Sequence, residues 1–143
     1  MGFNKRLFPE AAAGSSLDDF KFNIKTYTGD GTTGQGQTGI GFKPDMVWVK
    51  NLTTNKDHQV VDSVRGPSTN LNILFPNWNG PQSTSVGADY ISSLDTDGFT
   101  VGSSIYDGAL NEDYVGWCFK ASNSSAANTQ GGKASVVSAS NGF

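Results

Sequence analysis

The stretch Gly39 to Asn51, GIGFKPDMVWVKN, constrains this chain more than any other, because a turn signal there runs directly into a strand signal. Gly39 and Gly41 permit backbone angles closed to other residues, and Pro44 fixes its own φ while holding Lys43 extended. Met46-Val47-Trp48-Val49 then continue without a polar residue until Lys50-Asn51 close the run. A half-solvated strand alternates apolar with polar, so four apolar residues in succession predict a central strand covered on both faces. Such a strand needs a second layer, and the chain is expected to be a two-layer β structure.

Composition agrees with that expectation. The 18 Gly among 143 residues, with many Ser, Thr and Asn, supply turns at short intervals rather than long helices, and 11% aromatic residues supply bulk for a small core. The predicted class is all-β: an antiparallel β-sandwich, jelly-roll or lectin-like, with extended N- and C-terminal tails. The length suits one core. The expected organisation is a docking or anchoring peptide over residues 1–17, the sandwich over 18–121, and a Ser/Gly/Asn-rich linker over 122–143 leading toward a further module. Ser140-Asn141-Gly142-Phe143 echoes Asp18-Asp19-Phe20, as if a second copy of the unit began there.

Read in order, Phe20, Phe22 and Ile24 alternate with Lys21, Asn23 and Lys25, which predicts a half-exposed strand. Gly29 to Gly36 reads as a loop without regular structure. His58 to Asp62 and Asn70 to Phe75 read as short strands, the first closed by Arg65-Gly66-Pro67 and the second by Pro76. Asn77 to Gly87 is a loop carrying Trp78 and is the candidate surface loop for function. Tyr90 to Leu94 and Phe99 to Gly102 flank Asp95-Thr96-Asp97-Gly98, with Gly98 where a hairpin wants positive φ. Asp107 to Asp113 reads as a polar loop, and Tyr114 to Lys120 as a second buried strand beside the first.

The chemistry available to these residues is sparse. Net charge is −3 and no basic cluster exceeds Lys5-Arg6, so nucleic acid is not an expected partner. No stretch reaches the length of a membrane span and no secretory h-region opens the chain, so a cytoplasmic origin is expected. His58 is the only His, and Cys118, the only Cys, sits in an apolar strand as a small hydrophobe, so no Cys-His pair is expected. Asp95, Asp97, Glu112 and Asp113 could pair as glycosidase acids, but each lies among turn residues where Asp is favoured for local hydrogen bonds. Asp95 and Asp97 also resemble the start of a calcium loop without its later ligands, leaving a hairpin turn as the better reading. Asp62 and Arg65 are expected to form an ion pair at a corner. Neither an enzymatic activity nor a cofactor is expected. Three aromatic residues, Trp78, Tyr90 and Tyr106, are candidates for stacking on sugar rings. Phe3, Leu7 and Phe8 are candidates for docking on a neighbouring protein, and Ile73, Leu74 and Phe75 for contact with a partner subunit.

Gly41 to Asn51 (GFKPDMVWVKN), Asp62 to Gly66 (DSVRG), Leu94 to Ser103 (LDTDGFTVGS) and Tyr114 to Ala121 (YVGWCFKA) together resemble a module of bacteriophage virion proteins. That module is common in tail-fibre-like proteins of marine phages, often in tandem. Tyr27-Thr28-Gly29 matches its usual Tyr-Thr-Gly turn, while Ile73 to Trp78 is more apolar than the corresponding stretch of such modules. The resemblance implies a virion component assembled in the host cytoplasm, with a lectin-like β-sandwich and no catalytic residues. The expected role is a tail fibre or surface appendage for host attachment, with a capsid head decoration protein or a carbohydrate-binding module as alternatives. The expected partners are other virion proteins (a tail adaptor, nozzle or capsid), further copies in a homo-oligomer, with a trimer among its expected forms, and a host surface glycan.

Overall fold

The computed structural model describes residues 22–66, 72–84, 89–121, 126–128 and 135–137. Seven strands build two antiparallel sheets: β1 (Phe22–Thr28), β2 (Gln35–Thr38), β3 (Met46–Asn51), β4 (Gln59–Asp62), β5 (Ser93–Asp95), β6 (Gly98–Val101) and β7 (Asp113–Phe119). The first sheet runs β1-β7-β3-β4 and the second β2-β6-β5. The all-β, two-sheet architecture is the one expected. Within the stretch read as a linker, β8 (Ala126–Asn128) and β9 (Ser135–Val137) pair antiparallel. Phe3, Leu7, Phe8, Phe20 and Phe143 lie outside the described residues.

The expected neighbours β3 and β7 do pair, with Val47 opposite Cys118 and Trp48 opposite Trp117. The described residues do not cover both faces of β3 fully. Val47, Val49 and Asn51 are buried, whereas Met46, Trp48 and Lys50 are only half-buried, so the strand obeys the period of two despite its unbroken apolar run. Trp48 finds company on the outer face: its ring lies edge-on to Trp117 at 6.1 Å and its indole N–H donates to His58 Nδ1 at 2.9 Å.

Between the sheets, Val47, Val49, Val61, Tyr114 and Cys118 of the first meet Phe99 and Val101 of the second, with Ile40, Ile73 and Ile91 closing the ends. Gly116 is the key to this contact. A Cβ there would meet Phe99 Cζ at 2.9 Å, so the bare backbone forms the slot that receives the ring. Burial drives the Cys118 thiol up to about 12, as for a small core hydrophobe.

Strand β1 is half-exposed, as expected, and its apolar residues take the outer face. Phe22 and Ile24 are 36% and 50% exposed, and Asn23, Lys25 and Tyr27 face the interior. Tyr27 stacks on Tyr114 at 5.3 Å, and Asn23 Nδ2 donates to the Ile40 carbonyl at 2.9 Å. Two further readings are corrected. Gln35 and Gly36, read as loop, enter β2, because Gly36 lies opposite Thr100 in the β6 ladder. Asn70 to Phe75, read as a strand, contributes only the isolated bridges Ile73 to Ser83 and Leu74 to Val60 among its described residues.

The Asp95 to Gly98 hairpin forms as expected, Gly98 taking φ 155°. A Cβ at Gly98 would collide with the Gln37 carbonyl of β2. The corner at Asp62 also forms: Arg65 makes an ion pair with its carboxylate, which further accepts the backbone N–H of Val64 and Arg65.

One buried side chain is out of keeping with its surroundings. Gln59 is fully buried opposite Val49, and neither atom of its amide has a hydrogen-bond partner among the described residues. A buried amide of this kind is a net cost. Gln59→Met, close in length and shape, is expected to raise the unfolding free energy by about 1–2 kcal/mol, measured by urea titration. A loss of stability would refute the assignment of the amide as a cost.

Candidate functional site

The three sugar-stacking candidates are far apart in sequence, yet Phe75 joins them into one row of rings. Trp78 stands edge-on to Phe75 at 6.1 Å, Phe75 edge-on to Tyr106 at 5.6 Å, and Tyr106 lies nearly parallel to Tyr90 at 6.1 Å. All four rings lie within the spacing at which aromatic pairs attract. Trp78 is the open end, 52% exposed.

Each ring is held by local chemistry. Phe75-Pro76-Asn77-Trp78 closes as a turn, with the Trp78 N–H donating to the Phe75 carbonyl at 2.9 Å. Pro76 presets the backbone angle of the turn's second position. Asn77 ties the turn to the chain before β4: its Oδ1 accepts the His58 N–H at 3.0 Å and its Nδ2 donates to Asp57 Oδ1 at 2.7 Å. The indole of Trp78 lies so close over Gly80 that any Cβ there would strike it. On the other side, Ser104 N–H donates to the Asp89 carbonyl at 2.8 Å and Ser103 Oγ to Asp89 Oδ1 at 3.2 Å. These two bonds hold Tyr90 against the loop that carries Tyr106.

Beneath that loop lies Asp107, read from sequence as part of a polar loop and fully buried in the fold. Its Oδ1 accepts from Ser104 Oγ at 2.5 Å and its Oδ2 from the Gly102 N–H at 3.4 Å. Burial pushes its pKa up to about 7 against these bonds. Nearby, Tyr114 Oη donates to Ile105 O and accepts from Ala109 N–H, and desolvation raises it to about 12. Asn51 Nδ2 donates to the Ile105 carbonyl and to Glu112. The ladder therefore stands on a cross-linked floor.

The partner-contact candidates separate. Ile73 is fully buried in the core, which removes it from any contact surface, while Leu74 is 39% exposed and Phe75 belongs to the aromatic row. Phe75 was missed as a member of the row. The available signal was the spacing Phe75 to Trp78 across Pro76-Asn77, which brings residues i and i+3 of a turn together. Asp95 and Asp97 do not converge. Asp95 accepts from Ser93 Oγ and Thr100 Oγ1, both at 2.7 Å, whereas Asp97 accepts the N–H of Gly41 at 2.6 Å and of Gly39 at 2.9 Å. Those backbone donors hold the Asp97 carboxyl below its ordinary range. Both acids are engaged in turn bonds, and no cluster of three metal-ligating side chains occurs among the described residues.

His58 is tethered to Trp48 and lies apart from Cys118, which is on the inner face of β7. Burial lowers the His58 pKa. The arrangement offers stacking surface and hydrogen-bonding loops. Among the described residues no helix is long and apolar enough to cross a membrane.

Residues 18–143 match a domain family described as "Domain of unknown function (DUF7483)". Comparison with curated proteins and with solved structures finds no match.

Proposed function

The chain belongs to the DUF7483 family of domains of unknown function, and we propose that it is a bacteriophage virion structural protein, a tail fibre or similar surface appendage attaching to host glycan. The observation that carries this reading is the row Trp78, Phe75, Tyr106 and Tyr90, held by turn and loop hydrogen bonds and open at Trp78. A rigid, half-open indole with flanking polar loops suits the apolar face of a sugar ring and the hydroxyls around it. The role is binding, not catalysis. Phe3, Leu7 and Phe8 anchor the chain to a tail adaptor, nozzle or capsid. Assembly as a homo-oligomer then converts weak single sites into firm attachment, since linked sites gain about 10²–10⁴ in avidity.

The full chain is expected to bind a subset of an immobilised glycan array. Trp78→Ala should reduce that binding at least about tenfold, the loss of one good contact, and Val64→Ser, exposed beyond the end of β4 opposite the Asn77 contact, should leave it unchanged. No binding to any glycan, or equal binding by Trp78→Ala, would remove the adhesion role. Electron cryo-microscopy of particles tests the virion assignment separately. Density at the tail supports a fibre, density over the capsid supports the head decoration alternative, and absence from the particle refutes both.

A further inference from the structure

The outer face of the four-stranded sheet carries a run of neighbouring apolar side chains. Register places Ile24, Trp117, Trp48, Val60 and Leu74 side by side in one row crossing from β1 past β4. Phe22, Phe119 and Met46 form the next row, with the rings of Phe22 and Phe119 5.0 Å apart. Ile24, Leu74 and Phe22 are among the exposed large hydrophobic residues, and Met46, Trp48, Trp117 and Phe119 are half-buried. A contiguous patch of this kind marks a covered surface.

The position of the patch indicates its cover. Phe22, at one corner, is the first residue of β1, and β1 is an edge strand of the sheet. The chain that leads into that corner holds Phe3, Leu7, Phe8, Leu17 and Phe20 within 21 residues. Phe20 shares the sequence parity of Phe22 and Ile24, the two apolar residues among the four that β1 presents outward. Reach is ample: the 14 residues from Phe8 to Phe22 can span about 46–50 Å, whereas the four spacings from β1 across to the Leu74 bridge beyond β4 measure about 19 Å. We propose that in the free protein the chain's own residues 1–21 dock across the outer apolar face of the β1-β7-β3-β4 sheet through Phe3, Leu7 and Phe8. The same residues then cannot hold the particle and cover the sheet at once, so attachment to the virion exposes this face. The inference does not rest on the glycan reading.

The test uses the full chain with Trp78→Phe, which leaves Trp48 and Trp117, both on the outer face, as the only indoles. Replacing Phe3, Leu7 and Phe8 together by Ser should raise acrylamide quenching of the two indoles about twofold, as expected when a covered surface opens. The reciprocal change, Ile24→Glu on the sheet, should speed tryptic cleavage at Lys5-Arg6 about tenfold. Far-UV circular dichroism should be unchanged in both variants, and if the Ser variant fails to fold, the Ile24→Glu cleavage rate decides. Equal quenching and equal cleavage in all proteins would overturn the proposal. So would quenching that falls as protein concentration rises, because a second copy would then be the cover.

Discussion

Phe99→Ala is expected to lower the unfolding free energy by about 3–5 kcal/mol, the usual cost of deleting a fully buried phenyl ring. Phe99 is fully buried at the centre of β6, edge-on to Tyr27 at 6.0 Å and seated on Gly116 of the opposite sheet. No neighbour can fill the vacated slot easily, because the residue beneath it is a glycine and those beside it, Val49 and Tyr114, are held in the β3 and β7 ladders. Natural domains have only about 5–15 kcal/mol in total, so the loss consumes much of the stability. The same geometry makes a sharper prediction. Gly116→Ala should destabilise by about 1–3 kcal/mol through overpacking, and should cost much less in a Phe99→Leu background, where the Cζ contact is gone. Urea unfolding with an unchanged m-value measures both. Strictly additive losses would show that the ring and the glycine are not coupled.

Asp107→Asn should flatten the dependence of stability on pH between about 4 and 7. In the folded protein the Asp107 pKa is raised to about 7 from the ordinary 3.8, chiefly by burial. The unfolded chain therefore loses this proton first, and unfolding releases it across the interval. The contribution is fully present below about pH 3.8, declines as pH rises, and is gone above about pH 7. At about 1.36 kcal/mol per unit the span amounts to about 4 kcal/mol. Two groups of residues act in the opposite sense. Asp30, Asp45, Asp62 and Asp97 have lowered pKa values, so their contributions are lost as pH falls below the ordinary carboxylate range. His58 is also lowered, and its contribution is lost as pH falls from 6.5. Subtracting the variant's curve from the wild-type curve cancels these contributions. At pH 8 the variant should be the more stable by a few kcal/mol, since the amide removes a buried charge while keeping one acceptor for the Gly102 N–H. Parallel curves would show that Asp107 is not the titrating group.

The parts of this molecule that were legible in its sequence are those set by neighbours along the chain. Asp95 to Gly98 announces a hairpin because only glycine tolerates φ 155° there, and Asp62 to Arg65 announces a corner because the pair is within reach of one turn. Cys118 and the strands around it follow from apolar runs. The candidate site was half legible: Trp78, Tyr90 and Tyr106 stand out as aromatic residues in polar loops, but Phe75, which connects them, looks like a strand residue until the Pro76-Asn77 turn brings it beside Trp78.

Alternation in β1 divides Phe22 and Ile24 from Asn23, Lys25 and Tyr27, and the sequence by itself determined that division. Which set faced the core was decided only by the tertiary structure, when pairing with β7 put Tyr27 on Tyr114 and left Phe22 with Phe119 outside. The same holds for the alternation of β3 under an unbroken apolar run, for the burial of Asp107, and for the slot at Gly116. Strand period and turn angles are properties of adjacent residues. The choice of inward face depends on register between strands about 90 residues apart, where a shift of one residue exchanges the two faces.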